Sequence, residues 1–419
     1  MPWAEPEVWT ERMLAALEQG VKGGSWYSLM DKVASAKTLR IAFDRVKKNR
    51  GSAGVDHVSV KQYERRLDEN LNQLAERLRS GAYRPQAIRR HWIEKPGSRE
   101  KRPLGIPTVQ DRVVQTAMRF VLEPIFERDF AANSYGFRPG RNCHDALSRV
   151  QQALDSGKVW VVDADFRQYF DSIPREELLL AVSAKVTDRT LLTLLRAYLE
   201  QKVMEGLEEW SPVKGTPQGA VISPLLANIY LDPLDHQMAD DGFQMVRYAD
   251  DLVILCASRE DAETALARLK QWTERVGLSL HPDKTRIVDA STRGGFDFLG
   301  YHFERGLRWP RQKSLKALKD RVRLLTRRAN GCGLPQITAK LNPILRGWFE
   351  YFRLSYKTLF KELDGWIRMR LRSVQRKHEG RKGRGRGTDH NKLTNAYFAK
   401  LGLFSLLKAR ESLCQPSPR

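Results

Sequence analysis

Cysteine and long apolar runs are both scarce in this chain. Its four cysteines are widely separated among 419 residues. No pair has the spacing of zinc ligands, and so few thiols exclude a disulfide framework, which favours a reducing, cytoplasmic compartment. No window approaches about eighteen uncharged apolar residues, so no membrane-spanning helix is expected. The acidic N-terminus lacks the apolar core of a signal peptide.

Carboxylates are also in short supply relative to cations. The chain has 72 Lys and Arg residues against 50 Asp and Glu, a formal charge of +22 and a pI of about 9.9. Such an excess predicts a polyanionic partner. Ten Trp and twelve Tyr residues indicate a folded basic protein rather than a disordered basic tail. The length predicts two or three domains.

The pattern along the chain changes three times. Residues 1–28 form a poorly specified extension, and residues 29–305 alternate helical and strand patterns, which favours an α/β or α+β core. Residues 306–378 are helical in pattern and rich in Arg, Lys and Trp. Residues 379–419 contain a basic Arg-Gly linker and a small apolar element.

Two local signals precede the acidic motifs. Ser59 and Gln62 have capping-box spacing and begin a helix that Gly81 ends. The turn at residues 95–97 lies between two apolar edges and predicts a basic β-hairpin.

Two adjacent carboxylates, Asp250 and Asp251, interrupt an apolar run at residues 243–255. The β-branched and aromatic residues on both sides predict strands, and unpaired charges within one strand are costly to bury. A tight turn between two short strands resolves the conflict by placing both carboxylates at its tip. Carboxylates presented in this way suit Mg²⁺, although a solvated surface turn satisfies the same pattern.

A second acidic strand contains Asp163 and Asp165. If the two strands are neighbours, Asp165 converges with Asp250 and Asp251, and three such carboxylates repel one another unless cations hold them. Two Mg²⁺ ions of a phosphoryl-transfer site would do so. Asp163 and Asp165 share one strand face, so periodicity does not choose between them, and a strand-end turn is the alternative for both.

A series of short motifs runs in order through residues 30–410. They are the loop at Gly51, Gly105-Ile-Pro107, Gly136–Arg141, Val162–Phe166 with Phe170-Asp171, Gly215–Gly219 leading to Asn228, Tyr248-Ala249-Asp250-Asp251, Gly277–Leu280 with Lys284, Phe298-Leu-Gly300, Gly347-Trp348-Phe349 and Gly365–Arg368. Together they resemble the blocks of bacterial group II intron-encoded reverse transcriptases and maturases. A lone Tyr-x-Asp-Asp would be weak support, and the ordered series is strong.

The resemblance implies an α+β right-hand polymerase with fingers, a palm built on an antiparallel sheet, a helical thumb and a small basic C-terminal DNA-binding region. Residues 29–305 correspond to fingers and palm, 306–378 to the thumb or maturase domain, and 379–419 to a nucleic-acid-binding segment. The spacing of the family's first catalytic strand selects Asp165 over Asp163. Asp165, Asp250 and Asp251 are then the catalytic, metal-binding acids, joined by Phe166 as a metal ligand, and the implied cofactor is a pair of Mg²⁺ ions.

The same resemblance implies a dNTP site. Lys95 and Arg102 would clamp the triphosphate, to which ammonium and guanidinium groups are suited. Phe170 would be the steric gate against a ribose 2′-hydroxyl. Gln218 would contact nucleotide or template, and Lys284 would be a general acid for pyrophosphate. The alternatives are a solvated hairpin for Lys95 and Arg102, and core packing for Phe170. Gln218 would otherwise make a turn contact, and Lys284 would be a surface lysine.

Nucleic-acid contacts are expected on cationic and polar side chains outside that site. They are Asn49, Arg50, Arg138, Arg141, Arg346, Arg368, Arg372 and Arg376. Neutralising phosphates releases counterions, so binding should weaken steeply with salt. Most aromatics of the basic helical region are expected to pack between helices rather than stack on bases.

The implied function is RNA-directed DNA polymerisation, with an RNA template, a DNA or RNA primer and dNTPs as partners, combined with binding of group II intron RNA to assist splicing and mobility. Two alternatives remain: an intron-free enzyme of this type in DNA repair or phage defence, and a splicing cofactor with vestigial polymerase. The chain ends at Arg419 without the Cys/His spacing of a nuclease domain, so second-strand cleavage is not expected.

Overall fold

The computed structural model describes residues 4–21, 24–94, 101–329, 331–383 and 387–414. The predicted triphosphate ligand Lys95 lies outside these residues. The chain divides into two compact units, Met1–Ile287 and Val288–Arg419. None of the helices in the described ranges is long and apolar enough to cross a membrane.

The first unit contains most of the helices. They are α1 (Glu11–Gln19), α2 (Met30–Val33), α3 (Ala36–Lys48), α4 (Val60–Glu64), α5 (Leu67–Arg79), α6 (Val109–Glu127), α7 (Cys143–Asp155), α8 (Tyr169–Ser172), α9 (Arg175–Ser183), α10 (Arg189–Leu199), α11 (Ser223–Asp240) and α12 (Arg259–Arg275). The predicted capping box is present at Ser59 and Gln62. The single helix expected from there to Gly81 is two helices, because the chain leaves helical geometry between α4 and α5 at Arg66 (ψ 39°).

Two four-stranded sheets complete this unit. Their strands are β1 (Ile88–Glu94), β2 (Lys101–Ile106), β3 (Trp160–Asp165), β4 (Val203–Glu205), β5 (Glu208–Trp210), β6 (Gln244–Tyr248), β7 (Asp251–Cys256) and β8 (Arg286–Asp289), the last ending just past the unit boundary.

The central sheet has the strand order β6-β7-β3-β8. β7 runs antiparallel to both β6 and β3, and its buried residues Leu252–Cys256 lie between them. The two acidic strands are therefore neighbours, as predicted. Apolar side chains of the helices pack against this sheet, and one continuous core extends through the unit.

The second sheet has the order β2-β1-β4-β5 and contains the predicted basic hairpin. β1 and β2 pair antiparallel from Arg89 opposite Ile106 to Glu94 opposite Lys101. The short hairpin β4–β5 extends the sheet, with β4 parallel to β1. The sequence did not indicate these two strands, because each has three residues and three of the six are glutamates.

Part of the N-terminal segment has a defined place in the first unit. Trp9 is buried and its indole Nε1 donates to the carbonyl of Phe120 at 2.8 Å. Leu17 of α1 is also buried in the core. Trp26 packs edge-on against Trp9 and bridges to Val186. Two isolated aromatic contacts give no periodic pattern, so the sequence alone indicated only a poorly specified extension.

The second unit combines a small sheet with helices. Its elements are β9 (Phe296–Phe298), β10 (Tyr301–Glu304), β11 (Leu307–Pro310), α13 (Gln312–Leu325), α14 (Leu334–Phe352), α15 (Lys357–His378), α16 (Thr388–Lys392), α17 (Asn395–Lys400) and α18 (Leu406–Cys414). The sheet order is β11-β10-β9. Trp348 packs against Phe352 at 4.8 Å between ring centroids. The aromatics here contribute to helix packing, as expected.

Candidate active site

The Asp250–Asp251 pair lies at a two-residue hairpin between β6 and β7. Tyr248 pairs with Asp251 across the hairpin, so Ala249 and Asp250 form its tip and Asp251 begins β7. Ala249 has a φ of 60°, a left-handed conformation that is unfavourable for alanine. The Asp pair therefore lies on a tight turn between strands, and the surrounding structure holds that turn in a strained conformation.

Asp165 ends β3 and lies directly opposite Asp251 of β7. The predicted convergence is therefore present at one end of the sheet. Burial raises the pKa of Asp250, and the negative charge of Asp165 raises it further, while Arg102 and Arg247 partly offset this. Asp165, Asp250 and Asp251 thus lie at the same end of the central sheet, and both burial and the charge of Asp165 oppose the ionisation of Asp250.

A cation compensates for this charge in the structure. The Lys284 ammonium donates to Asp165 Oδ2 in an ion pair. The described residues contain no ready-made cluster of three or more His, Cys, Asp or Glu ligands. A carboxylate group that still needs positive charge and lacks a closed ligand cage fits Mg²⁺, which usually completes its coordination with water and substrate phosphates.

Asp163 has a different environment from Asp165. It pairs with Val253 in the sheet, and Arg286 Nε lies 3.4 Å from its Oδ2. Asp163 therefore lies two residues back from the strand end, beside an arginine rather than another acid. This geometry supports the choice of Asp165.

A buried ion pair lies beneath the hairpin and was missed from sequence. Arg247 is fully buried, and its Nε donates to Asp235 Oδ1 at 2.8 Å. Its Nη1 donates to Ala249 O and to Asn228 Oδ1, both at 2.9 Å. A charged residue within an otherwise apolar strand was the available signal. Arg247 donates to the carbonyl of the strained tip residue and so holds the Ala249–Asp250 turn in place.

A second support comes from Gly136, whose backbone lies against the turn. A Cβ at this position would lie 2.2 Å from Ala249 N. Asn228 Nδ2 donates to Gly136 O at 2.8 Å, which connects this contact to the Arg247 pair. The close approach explains the glycine in the Gly136–Arg141 motif.

We expect Gly136→Ala to slow nucleotide addition by about a hundredfold, because a displacement of about 1 Å at a reacting centre has an effect of that size. Single-turnover primer extension measures it. Gly333→Ala is the control, since a Cβ there lies 3.7 Å from the nearest atom, Pro335 Cδ. Equal rates for Gly136→Ala and the wild type would show that the turn does not depend on this contact.

Of the predicted nucleotide ligands that the structure describes, Arg102 and Lys284 interact with these acids, and Phe170 and Gln218 contact neighbouring residues. Arg102 is on β2, and its charge acts on Asp250. Phe170 is half-buried on α8 and packs edge-on against Tyr169. Gln218 Nε2 donates to Asp171 Oδ2 at 2.9 Å.

Two further contacts complete this description. The Gln218 carbonyl accepts from Gly105 N at 2.6 Å, which joins the Gly215–Gly219 loop to β2. Phe166 is buried and forms an antiparallel bridge with Leu280. Only its backbone carbonyl is therefore suited to a metal.

The nucleic-acid contacts predicted in the first unit divide into two groups. Asn49 and Arg50 are exposed at the end of α3 and remain candidates. Arg138 is buried, and its guanidinium donates to Glu127 and to the carbonyls of Ala131 and Ser134. The expectation that Arg138 contacts nucleic acid is therefore wrong, because all its donors face the interior. Arg141 is half-buried over the Tyr135 ring.

The predicted arginines of the second unit mostly hold the C-terminal segment. Arg346 stacks on Phe404, and Arg376 pairs with Asp389 at 2.8 Å. Arg372 is buried and donates to Leu393 O, so its expected nucleic-acid contact is also wrong.

Arg368 lies 3.9 Å from Asp364, whose carboxylate accepts from Leu406 N. The exposed cations of α13, which sequence reasoning did not single out, are Lys313, Lys316, Arg321 and Arg323, and Arg323 pairs with Asp320.

Comparisons with known proteins agree with this geometry. Residues 93–303 match the family described as Reverse transcriptase (RNA-dependent DNA polymerase), and residues 315–392 match Group II intron, maturase-specific domain.

The chain is similar to the group II intron-encoded protein LtrA of Lactococcus lactis subsp. cremoris, with 39% identity over 40% of this chain and 28% of that protein. It is also similar to the protein YkfC of Escherichia coli (strain K12), with 33% identity over 60% of this chain and 76% of YkfC. The chain thus spans little more than a quarter of LtrA.

A solved partial Cas6-RT-Cas1–Cas2 complex aligns with 59% of this chain and 42% of its own, at 25% identity and a TM-score of 0.38. The predicted fold class is confirmed by the mixed α+β architecture and the reverse transcriptase match. Reverse transcriptases as a family use divalent metal ions. The chain belongs to the reverse transcriptase family, and its residues 315–392 form a group II intron maturase-specific domain.

Proposed function

We propose that this chain is an RNA-directed DNA polymerase whose active site is formed by Asp165, Asp250 and Asp251. The observation that carries the proposal is the position of Asp165 directly opposite Asp251, beside the Ala249-Asp250 turn. A nucleotidyl-transfer site needs carboxylates that converge on metal ions. The proposed substrates are an RNA template, a DNA or RNA primer and dNTPs.

Two Mg²⁺ ions held by these acids would activate the primer 3′-hydroxyl and stabilise the charge that develops on the α-phosphate and the leaving oxygen. In the transfer, the primer 3′ oxygen forms a bond to the α-phosphorus of the dNTP while the bond to pyrophosphate breaks. Arg102 lies near Asp250 and would bind the triphosphate. Gln218 would border the nucleotide from the side of β2.

Lys284 has two states in this proposal. In the structure it neutralises Asp165. When Asp165 helps to hold a metal, the Lys284 ammonium would no longer be needed as its counter-charge and would be available to donate a proton to the leaving pyrophosphate. Lys284 is thus both a charge compensator without substrate and a general acid with it.

Phe170 sets the predicted sugar selectivity. We expect Phe170→Val to raise ribonucleotide use relative to deoxynucleotide use by about tenfold or more, because the smaller side chain leaves room for a 2′-hydroxyl. The ratio of kcat/KM for dTTP and UTP on one RNA template measures this effect. Thr193→Val on α10 is a control, since its hydroxyl bonds only to its own helix at Arg189 O. An unchanged ratio would assign Phe170 to core packing.

Extension of a labelled primer on an RNA template by the purified chain tests the polymerase proposal. We expect dNTP- and Mg²⁺-dependent elongation that stops when EDTA is added. Absence of elongation from a folded preparation that binds the template–primer would contradict it.

A second role, assistance to splicing, is favoured by the maturase-specific match at residues 315–392. The exposed cations of α13 are suited to RNA phosphates. We expect Asp250→Asn to retain intron binding and splicing assistance while losing extension, because the exposed cations of α13, and not the acids, would contact the phosphates of the intron RNA. Self-splicing of a group II intron RNA with and without the variant measures this. Loss of both activities together would argue for one shared site.

An intron-free role in DNA repair or phage defence is the remaining alternative for the same polymerase chemistry. Group II ribozyme sequence flanking the gene would favour the intron role, and its absence would favour the alternative. RNA that co-purifies with the chain, once sequenced, would identify the bound RNA directly.

A further inference from the structure

A cavity of about 270 Å³ lies between the β1–β2 sheet and the Gly215–Gly219 loop. Its polar and aromatic lining comes from Arg90, Asp171, Arg175, Trp210, Lys214 and Thr216, and the remaining walls are apolar or glycine apart from Gln218. The volume is close to the lower end of the range for small-ligand pockets, about 300 Å³.

The cavity shares Gln218 with the proposed nucleotide site but lies on the other face of the β1–β2 hairpin from Arg102. Arg90 pairs with Gly105 and Ile93 pairs with Arg102 across the hairpin. Because side chains alternate along a strand, Arg90 and Arg102 point to opposite faces of this sheet. Arg102 acts on Asp250, so the cavity lies on the face turned away from the proposed triphosphate ligand.

An unpaired hydroxyl indicates that the cavity takes a ligand. Thr216 is 2% exposed, and its Oγ1 has no hydrogen-bond partner among the described residues. Buried polar atoms normally have a partner, and leaving one without is unfavourable. A ligand in the cavity that Thr216 lines would supply it.

The other lining groups define the chemical class of that ligand. The Arg90 guanidinium lies 4.6 Å from the centre of the Trp210 ring. Lys214 is exposed at the rim, and Arg175 holds the loop through Gly215 O at 3.2 Å. Asp171 is the one carboxylate of the lining, and Gln218 already donates to it. Three cations against one engaged carboxylate favour an anion, and an indole beside them favours a planar ring.

We propose that this cavity binds a nucleoside monophosphate unit, with its base against Trp210, its phosphate at Arg90 and Lys214, and a hydrogen bond to the Thr216 hydroxyl. The inference goes beyond the proposed polymerase and does not depend on it. The unit comes either from a free mononucleotide or from an unpaired nucleotide of bound RNA.

Equilibrium dialysis of labelled AMP against the full chain tests the proposal. EDTA is present, so that metal-dependent binding at the acids does not contribute. Thr216→Val removes the hydroxyl at nearly constant volume, and because that hydroxyl has no partner the variant should unfold at the same temperature as wild type or higher. We expect its Kd for AMP to rise about fivefold, the effect of one hydrogen bond. Trp210→Ala should raise the Kd about tenfold or more through lost stacking.

Thr264→Val on α12 is the matched control, since its hydroxyl bonds to its own helix at Glu260 O, and its Kd should equal that of wild type. A second arm repeats the dialysis with saturating RNA template–primer. Unchanged AMP binding identifies a free mononucleotide as the ligand, and displacement identifies an RNA nucleotide. No AMP binding by wild type, or equal Kd values for wild type, Thr216→Val and Trp210→Ala, would overturn the proposal.

Discussion

Replacing Asp165 with asparagine should slow primer extension by about a thousandfold or more, while the same change at Asp163 should leave the rate within about threefold. The two residues share one strand and one face. Asp165 lies opposite Asp251 and can share metal ions with it, so its loss removes charge where the transition state needs it. Asp163 contacts the partly exposed Arg286, an interaction that contributes little.

The matched pair separates chemistry from folding. Both substitutions are isosteric and lie in the same strand, so the two variants should have similar unfolding temperatures. Only their extension rates should differ. Single-turnover addition of one dNTP measures that rate. A large loss at Asp163 with near-normal extension at Asp165 would show that the wrong carboxylate had been assigned.

Arg247→Met should lower the free energy of unfolding by about 3–5 kcal/mol, because it leaves Asp235 charged and buried without a partner. Urea denaturation measures the change. Arg259→Met is the control: its partner Glu263 lies at 2.9 Å and both side chains are more than half exposed, so the cost should stay below about 1 kcal/mol. A similar cost for both substitutions would contradict the burial argument.

The double variant Arg247→Met with Asp235→Leu tests the positioning role separately. Replacing a buried ion pair by apolar side chains is often neutral for stability, so most of the loss should be recovered. Extension should stay slow, because Ala249 O and Asn228 Oδ1 still lack their donor. Full recovery of both stability and extension would mean that Arg247 has no role in positioning the turn.

The central sheet and its acids could be predicted from the sequence for a physical reason. The strands β3 and β7 are mostly buried and apolar, and Asp165 and Asp251 lie at their ends, although Asp163 lies within β3. An apolar run of this kind predicts a buried strand from local residues alone. The resemblance of the ordered motifs to a known family then predicted that the two strands are neighbours.

Arg138 and Arg372 were misassigned because the sequence does not show which residues the fold places beside a side chain. Arg138 pairs with Glu127, eleven residues earlier, and Arg372 donates to Leu393 in the C-terminal segment. From sequence alone, an arginine in a basic region is a candidate phosphate ligand, because the partner that the fold places beside it is not visible. The strands β4 and β5 were missed because three-residue strands carry too little periodicity to detect.

Magnesium titration of single-turnover dNTP addition on an RNA template, for wild type and Asp250→Asn, tests the central claim most directly. The account predicts that wild-type addition requires Mg²⁺ and rises more steeply than first order at low concentration, because two ions are bound. It predicts no measurable addition by Asp250→Asn at any Mg²⁺ concentration. Addition that is independent of Mg²⁺, or wild-type rates from Asp250→Asn, would contradict the assignment of these acids as the polymerase site.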